Sequence, residues 1–195
     1  MIKSKKDYKY YLECDRIALG KKYLKPKFVG DEIWRFEIMM RKTEYYKNCS
    51  KTIIQKIYSK WLQYRYYKMR IKLGFSIPLN VFGPGLSIAH YGTIVVNGNA
   101  KVGKNCRIQE CTTIGATNGS KKAPILGDNI FIGSGARIIG NISIANDIAI
   151  GANAIVNKSF EMPGITIAGV PARKVSDKNS HSNLINYREE GSSLL

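Results

Sequence analysis

Aliphatic side chains recur every six residues along the middle of the chain. Val96, Val102, Ile108 and Ile114 are followed by Leu126, Ile132, Ile138, Ile144, Ile150 and Val156. The gap from Ile114 to Leu126 is twice that interval, so the phase survives it. Glycine often follows the aliphatic residue, as in Val102-Gly103, Ile132-Gly133 and Ile150-Gly151. The fifth place of the hexad is often small (Ala100, Cys106, Thr112, Ala136, Ala154), although Ile130, Ile142 and Ile148 also occupy it. A six-residue interval is too long for a helical turn and too regular for a loop. A short strand plus a tight turn uses about six residues. Three such units close a triangular coil with the aliphatic residue inward on each wall and the small residue in a corner. Gly and Asn supply the positive φ that sharp turns need, and each coil buries its ladder against its neighbours. The pattern predicts a mainly β chain with a parallel β-helix over residues 74–175.

Residues 1–73 carry a different pattern. They are rich in Tyr, Lys, Ile and Leu, with few Gly or Pro, and predict an α-helical N-terminal segment. One helix is expected over Lys6–Leu19. A second, over Asp31–Tyr46, has Ile33, Phe36, Ile38, Met40 and Tyr45 near helical spacing and acids at its start, which suit the helix dipole. A third, over Lys51–Lys72, carries Ile54, Ile57, Tyr58, Trp61, Tyr64, Tyr67 and Ile71. Pro26 and Gly30 mark a break before the second. A tyrosine-rich stripe can stack on nucleic acid, but core packing or partner-helix contact is the commoner reason for aromatics at this spacing. Residues 176–195 are polar, lack the period and read as a tail, partly ordered against the coils.

The formal net charge is +17, with much of the excess before residue 74. Nucleic acid, an anionic membrane surface and a phosphate-rich cofactor or substrate all fit such a balance, as does a solvated basic face. No stretch approaches the ~20 apolar residues of a membrane-spanning helix, and the start MIKSKKDYKYYLE has no apolar region of a secretory signal. A cytoplasmic protein is expected. Cys14, Cys49, Cys106 and Cys111 form no C-x-x-C pair, and no His stands at metal-ligand spacing from them. Reduced, mostly buried thiols and no metal are expected.

The ladder, the segment IAHYGTIVVNGNAKVGKNCRIQECTTIG from Ile88 to Gly115, the coils GSGARIIGNISI and IGANAIV, and the ending AGVPARKV together resemble the hexapeptide-repeat acyltransferases, and among them the serine acetyltransferase group. The resemblance implies a left-handed parallel β-helix, a homo-trimer, and transfer of acetyl from acetyl-CoA to a hydroxyl without a metal.

It also implies site residues. His90 stands where the family has its catalytic His; the chain's only other His, His181, lies in the tail. Acyl transfer to an alcohol needs a base for the hydroxyl proton, and a neutral imidazole can accept it near neutrality. A donor must stabilise the oxyanion. Ser134, Ala152, Asn157, Lys158 and Arg173 correspond to cofactor-contacting positions of galactoside and maltose acetyltransferases. Asp15, Glu13 and Tyr91 are candidates for orienting His90 or meeting the acceptor. Cys111 as an acyl-carrying nucleophile is outweighed by a structural thiol.

Three positions depart from the serine enzymes' pattern. Ala89 replaces an Asp before the His, Phe75 replaces an upstream carboxylate, and Lys122-Ala123-Pro124 replaces an Arg-His pair before a Pro. Those lost groups suit an amino acid's charges. The expectation is therefore a sugar hydroxyl of a capsular polysaccharide, O-antigen or related glycan precursor. Serine itself, for cysteine biosynthesis, is the alternative, and a non-catalytic basic scaffold a further one. The acceptor is a small molecule or glycan; no nucleic acid partner is expected, and a peripheral membrane-surface contact is compatible with the charge. A carbonic-anhydrase-like β-helix is excluded, because it needs three His and the coils hold one.

Overall fold

The structure is a computed structural model and describes residues 1–117 and 119–185. Three helices come first: α1 (Lys5–Ala18), α2 (Glu32–Cys49) and α3 (Ile53–Leu73). Ser4 caps α1 by accepting the Asp7 amide, and Thr52 with Gln55 forms a capping box on α3. Gly74, at φ 75°, ends α3 in the left-handed conformation.

Fourteen short strands follow. They are β1 (Phe75–Ser76), β2 (Ser87–Ile88), β3 (Ile94–Val96), β4 (Lys101–Val102), β5 (Arg107–Ile108), β6 (Thr113–Gly115), β7 (Ile125–Leu126), β8 (Phe131–Ile132), β9 (Arg137–Ile139), β10 (Ser143–Ile144), β11 (Ala149–Ile150), β12 (Ile155–Val156), β13 (Thr166–Gly169) and β14 (Ala172–Ser176). They form three walls: β1-β3-β6-β9-β12, β4-β7-β10, and β2-β5-β8-β11-β13-β14. Every pair is parallel except the closing hairpin of β13 and β14. From β2 to β12 successive strands step from wall to wall in a fixed cycle, six residues advancing one wall except from β2 to β3 and from β6 to β7, and three walls complete a coil.

The register stacks the ladder on itself. Ile88, Ile108, Ile132, Ile150 and Ile167 align on one wall, and Val96, Ile114, Ile138 and Val156 on another. All are buried, as are the fifth-place residues Ala100, Cys106, Ala136 and Ala154. Each fully buried Ile or Val contributes about 1.5–3 kcal/mol of transfer free energy. Tight corners need left-handed residues, which Asn105, Asn129, Asp147 and Asn153 supply at φ 54–62°. At Gly103 a Cβ would stand 2.6 Å from the Gly127 carbonyl oxygen, so the coils stack too closely there for any side chain.

A coil stack has an open end, and the helices close it. Asp15 accepts the amides of Gly85 and Leu86 at 2.8 and 2.9 Å, Glu37 accepts that of Ile88 at 3.0 Å, and Glu44 that of Asn80 at 2.6 Å. Arg41 donates to the carbonyls of Phe82 and Gly83 and pairs with Asp15 and Glu44. These side chains stand in for the backbone of an absent coil, and all four residues are buried. Burial opposes the Arg41 charge, but Asp15 and Glu44 outweigh it and hold the guanidinium's pKa above its ordinary value.

Two expectations need correction. The α3 stripe of Ile54, Ile57, Trp61, Tyr64, Tyr67 and Ile71 faces outward rather than into the core; the buried face carries Ser59, Leu62 and Tyr66. Apolar and aromatic residues occur all round α3, so spacing alone did not choose the face. The thiols are not mostly buried: Cys106 is, Cys14 and Cys49 are half-buried, and Cys111 is exposed at a coil corner. The start of the tail is ordered against the coils, in line with the expectation of partial order. Ser180 is buried, its hydroxyl donating to the Asn129 carbonyl, and a 3-10 turn covers His181–Asn183. The rest of the expected tail, 186–195, lies outside the described residues.

Candidate active site

The corner that leads from β2 to β3 carries His90. Ladder register places one residue of each coil at this corner, two positions after the wall's aliphatic residue. His90 follows Ile88, Glu110 follows Ile108, Ser134 follows Ile132 and Ala152 follows Ile150. Corner hydrogen bonds repeat the alignment, with the Gly135 amide on the Glu110 carbonyl at 2.9 Å and the Asn153 amide on the Ser134 carbonyl at 2.8 Å. With coils about 4.8 Å apart, these four residues form a straight edge roughly 14 Å long. His90 is exposed on it.

Glu110 stands at the same corner as His90 on the neighbouring coil, and the sequence pattern alone did not single it out. The polar surroundings of the corner, Ser134 first among them, hold its carboxyl below the usual range. Its Oε2 is buried and has no hydrogen-bond partner. Gly92, at φ 131°, makes room: a Cβ there would lie 3.0 Å from the Glu110 Cβ. The signal in the sequence was the interval of twenty residues from His90 to Glu110, the same as from Ser87 to Arg107. It becomes readable once the pairing of β2 with β5 is known.

The orienting groups expected from α1 are not at the site, which is a correction. Both oxygens of Asp15 are taken by Arg41, Gly85 and Leu86, because the open edge of the first coil needs acceptors. Both oxygens of Glu13 are taken by Arg16. Neither bonds to His90. Tyr91 is exposed, and its hydroxyl donates to Glu32 at 2.8 Å, tying the corner to the start of α2. Phe75 is buried in β1 against Phe36, with ring centroids 5.1 Å apart, so no carboxylate replaces it there.

A cleft of about 220 Å³ opens between the helices and the third wall, lined among others by Asp31, Trp34, Ser87, Ala89, Tyr91 and Arg107. Asp31 is bonded by Lys21, Tyr23 and the Lys27 amide. Burial acts to raise its carboxyl, but those bonds outweigh it and bring it down to about 2. Arg107 donates to Ser87 Oγ at 3.0 Å and has no acidic partner among the described residues. Burial lowers its pKa, and among the described residues no carboxylate offsets its charge.

The expected cofactor residues fall in three places. Ser134 and Ala152 share the His90 edge. Ser134 Oγ and its amide both reach Gln109 Oε1 at 3.0 Å. Asn157 and Lys158 follow β12 and sit at the next corner, across the first wall, with the Lys158 ammonium 5.5 Å from the Phe160 ring centroid. Arg173 is exposed on β14, opposite Ala168. One protomer therefore does not gather all five. Among the described residues no group of three His, Cys, Asp or Glu stands ready to hold a metal ion.

No family model matches the chain. Among curated proteins, it is 34% identical over 126 residues to a serine acetyltransferase of Buchnera aphidicola subsp. Schizaphis graminum, covering 61% of this chain and 48% of that one. It is 36% identical over 124 residues to the serine acetyltransferase of Escherichia coli strain K12, covering 58% and 45%. The chain thus spans about half the length of the curated relatives it matches. Among solved structures, the Brucella abortus strain S19 serine acetyltransferase in complex with coenzyme A matches with TM-score 0.66 at 25% identity, over 90% of this chain and 70% of that one. The Neisseria gonorrhoeae serine acetyltransferase matches with TM-score 0.68 at 25% identity, over 89% and 68%.

Proposed function

We infer that this chain, which belongs to the serine acetyltransferase-like group of the hexapeptide-repeat acyltransferase superfamily, transfers an acetyl group from acetyl-CoA to a hydroxyl. The observation that carries the reading is the edge on which one exposed imidazole, His90, heads a straight row of Glu110, Ser134 and Ala152. A pantetheine arm is a narrow chain, and an edge of stacked corners offers it backbone polar groups at regular intervals.

In this mechanism neutral His90 takes the proton of the acceptor hydroxyl as its oxygen attacks the thioester carbonyl carbon. The imidazolium that forms lies beside the Glu110 carboxylate, which stabilises it electrostatically. The tetrahedral species collapses, the carbon–sulfur bond breaks, and the departing CoA thiolate recovers the proton. No acyl-enzyme is formed. Asn157, Lys158 and Arg173 are the cationic and polar groups left for the cofactor. A homo-trimer of left-handed coils, in which one protomer's His90 edge faces another's Lys158 corner, would bring the divided residues together. The reaction is assigned to the cytoplasm.

The acceptor is serine in the first reading. The named relatives favour it over the sugar hydroxyl expected from the sequence departures. Arg107, in the cleft beside Ala89, has no acidic partner among the described residues and is a cation suited to an acceptor's carboxylate. A sugar hydroxyl is the second reading on one observation: Ala89, next to His90, offers no carboxylate for an ammonium group. The deciding experiment measures CoA release from acetyl-CoA with L-serine and with a panel of neutral and acidic sugars, using His90→Ala as the control. Turnover with none of them, or undiminished turnover in the control, would refute the reading.

A further inference from the structure

Helix α3 presents an apolar face to solvent along its whole length. Ile54, Ile57 and Ile71 are 80%, 66% and 60% exposed, and Trp61 and Tyr64 lie exposed between them. At 100° per residue these five fall on one side of the helix, opposite the buried Ser59, Leu62 and Tyr66. From Ile54 to Ile71 this face is roughly 26 Å long. Isolated exposed apolar residues are ordinary, but a continuous stripe of this length marks an interaction surface.

Its charge says what covers it. α3 contains six Lys and Arg and no Asp or Glu. Lys68 and Lys72 project within the stripe, and Lys56, Lys60 and Arg65 flank it, all five exposed. The Arg65 guanidinium lies over the Trp61 ring, 5.0 Å from its centroid, so cation and aromatic share the same face. A second copy of the chain would set cation against cation here. Nucleic acid would satisfy the cations and leave three isoleucines against phosphate. An anionic phospholipid surface satisfies both sets at once.

We propose that α3 docks this protein on the surface of an anionic phospholipid membrane, with Ile54, Ile57, Trp61 and Ile71 at the boundary of headgroups and acyl chains and the lysines among the headgroup phosphates. The helix lies in the surface plane; no helix among the described residues is long and apolar enough to cross a membrane. The proposal stands apart from the acceptor and from the acetyl-transfer reading, since it uses no residue of the His90 edge.

The test is co-sedimentation of the full chain with vesicles of phosphatidylglycerol and phosphatidylcholine, against vesicles of phosphatidylcholine alone. The wild type should sediment with the anionic vesicles, at least tenfold more than with the neutral ones. Trp61 emission should shift to the blue, whereas Trp34 is already buried and contributes no shift. The double variant Ile54→Gln, Ile57→Gln and the double variant Lys60→Glu, Lys68→Glu should each lose tenfold or more of the binding while keeping the wild-type helical circular dichroism and oligomeric mass. No binding to anionic vesicles overturns the proposal. So does undiminished binding by the isoleucine variant, which would mean charge adhesion alone. A reduced oligomeric mass of that variant assigns the face to a second copy, and binding of RNA without binding of vesicles assigns it to nucleic acid; either overturns it as well.

Discussion

Glu37 accepts the backbone amide of Ile88 at 3.0 Å, two residues before His90, while its other oxygen is buried without a partner. Burial first, and the Asp15 charge second, push the Glu37 carboxyl well above its ordinary 4.5. The folded chain therefore binds this proton more tightly than the unfolded one. The resulting stability is complete below the unfolded value and is lost as pH rises through the raised folded value. Glu37→Gln keeps an acceptor for Ile88 and removes the titration. Its melting temperature should fall less than the wild type's as pH rises above the ordinary carboxylate range. Glu37→Ala leaves the amide unpaired and should lose about 1–3 kcal/mol throughout. Thermal melts across that rise decide between a neutral cap and an ionised one.

Asp15 and Arg41 form the buried centre of the same cap. Removing one member of a buried ion pair leaves the other charge uncompensated, at a cost of about 3–5 kcal/mol. Asp15→Ala should show that loss in a denaturant melt. The molecules that remain folded at low temperature should turn over as the wild type does, with an unaltered pH–rate profile, because Asp15 does not touch His90. A changed profile would return Asp15 to the mechanism.

The cap and the ladder differ in how openly the sequence displays them. The ladder repeats, so each inward Ile or Val confirms the last, and Ile108, Ile132 and Ile150 are buried where the interval puts them. The small fifth-place residues mark corners for the same reason. The cap joins Asp15 to Gly85 across seventy residues, and nothing local in YYLECDR announces an acceptor for backbone amides. α3 misleads in another way. Its isoleucines have helical spacing, but Leu62 and Tyr66 on the other side have it too, and only packing against α2 and β1 decides which side is inner. His90 was legible through the HYGTIVV turn. Glu110 was not, because its place beneath His90 depends on the length of one particular coil.

His90 and Glu110 divide the proposed chemistry, and their variants should fail differently. His90→Ala removes the base and should lower turnover about 10²–10⁴-fold while acetyl-CoA still raises the melting temperature. Glu110→Gln keeps the shape and removes the charge beside the imidazolium. It should lower kcat with little change in KM for acetyl-CoA, since the charge matters when the imidazolium forms. Equal losses in kcat and in cofactor binding would make Glu110 a structural residue of the edge.

Cys111 holds a backbone position that suits few side chains. Its φ is 57°, and the matching turns elsewhere use Asn105, Asn129 and Asn153 at 54°, 58° and 55°. An L-residue in this conformation crowds its Cβ against the following carbonyl by about 1–2 kcal/mol, which Asn offsets with local hydrogen bonds. Cys111→Asn should therefore stabilise the fold by about 0.5–1 kcal/mol, which at this chain length is a rise of about 2–4 °C per kcal/mol. Cys111→Val adds β-branching to the same strain and should destabilise by about 1–2 kcal/mol. The substitution also separates two chemistries. The thiol is exposed one residue after Glu110, close enough in sequence to invite an acyl-cysteine intermediate. Direct transfer through His90 needs no such carrier, so the more stable Cys111→Asn protein should keep full turnover. Loss of turnover in a protein that melts higher than the wild type could not be blamed on unfolding, and would put the acetyl group on sulfur.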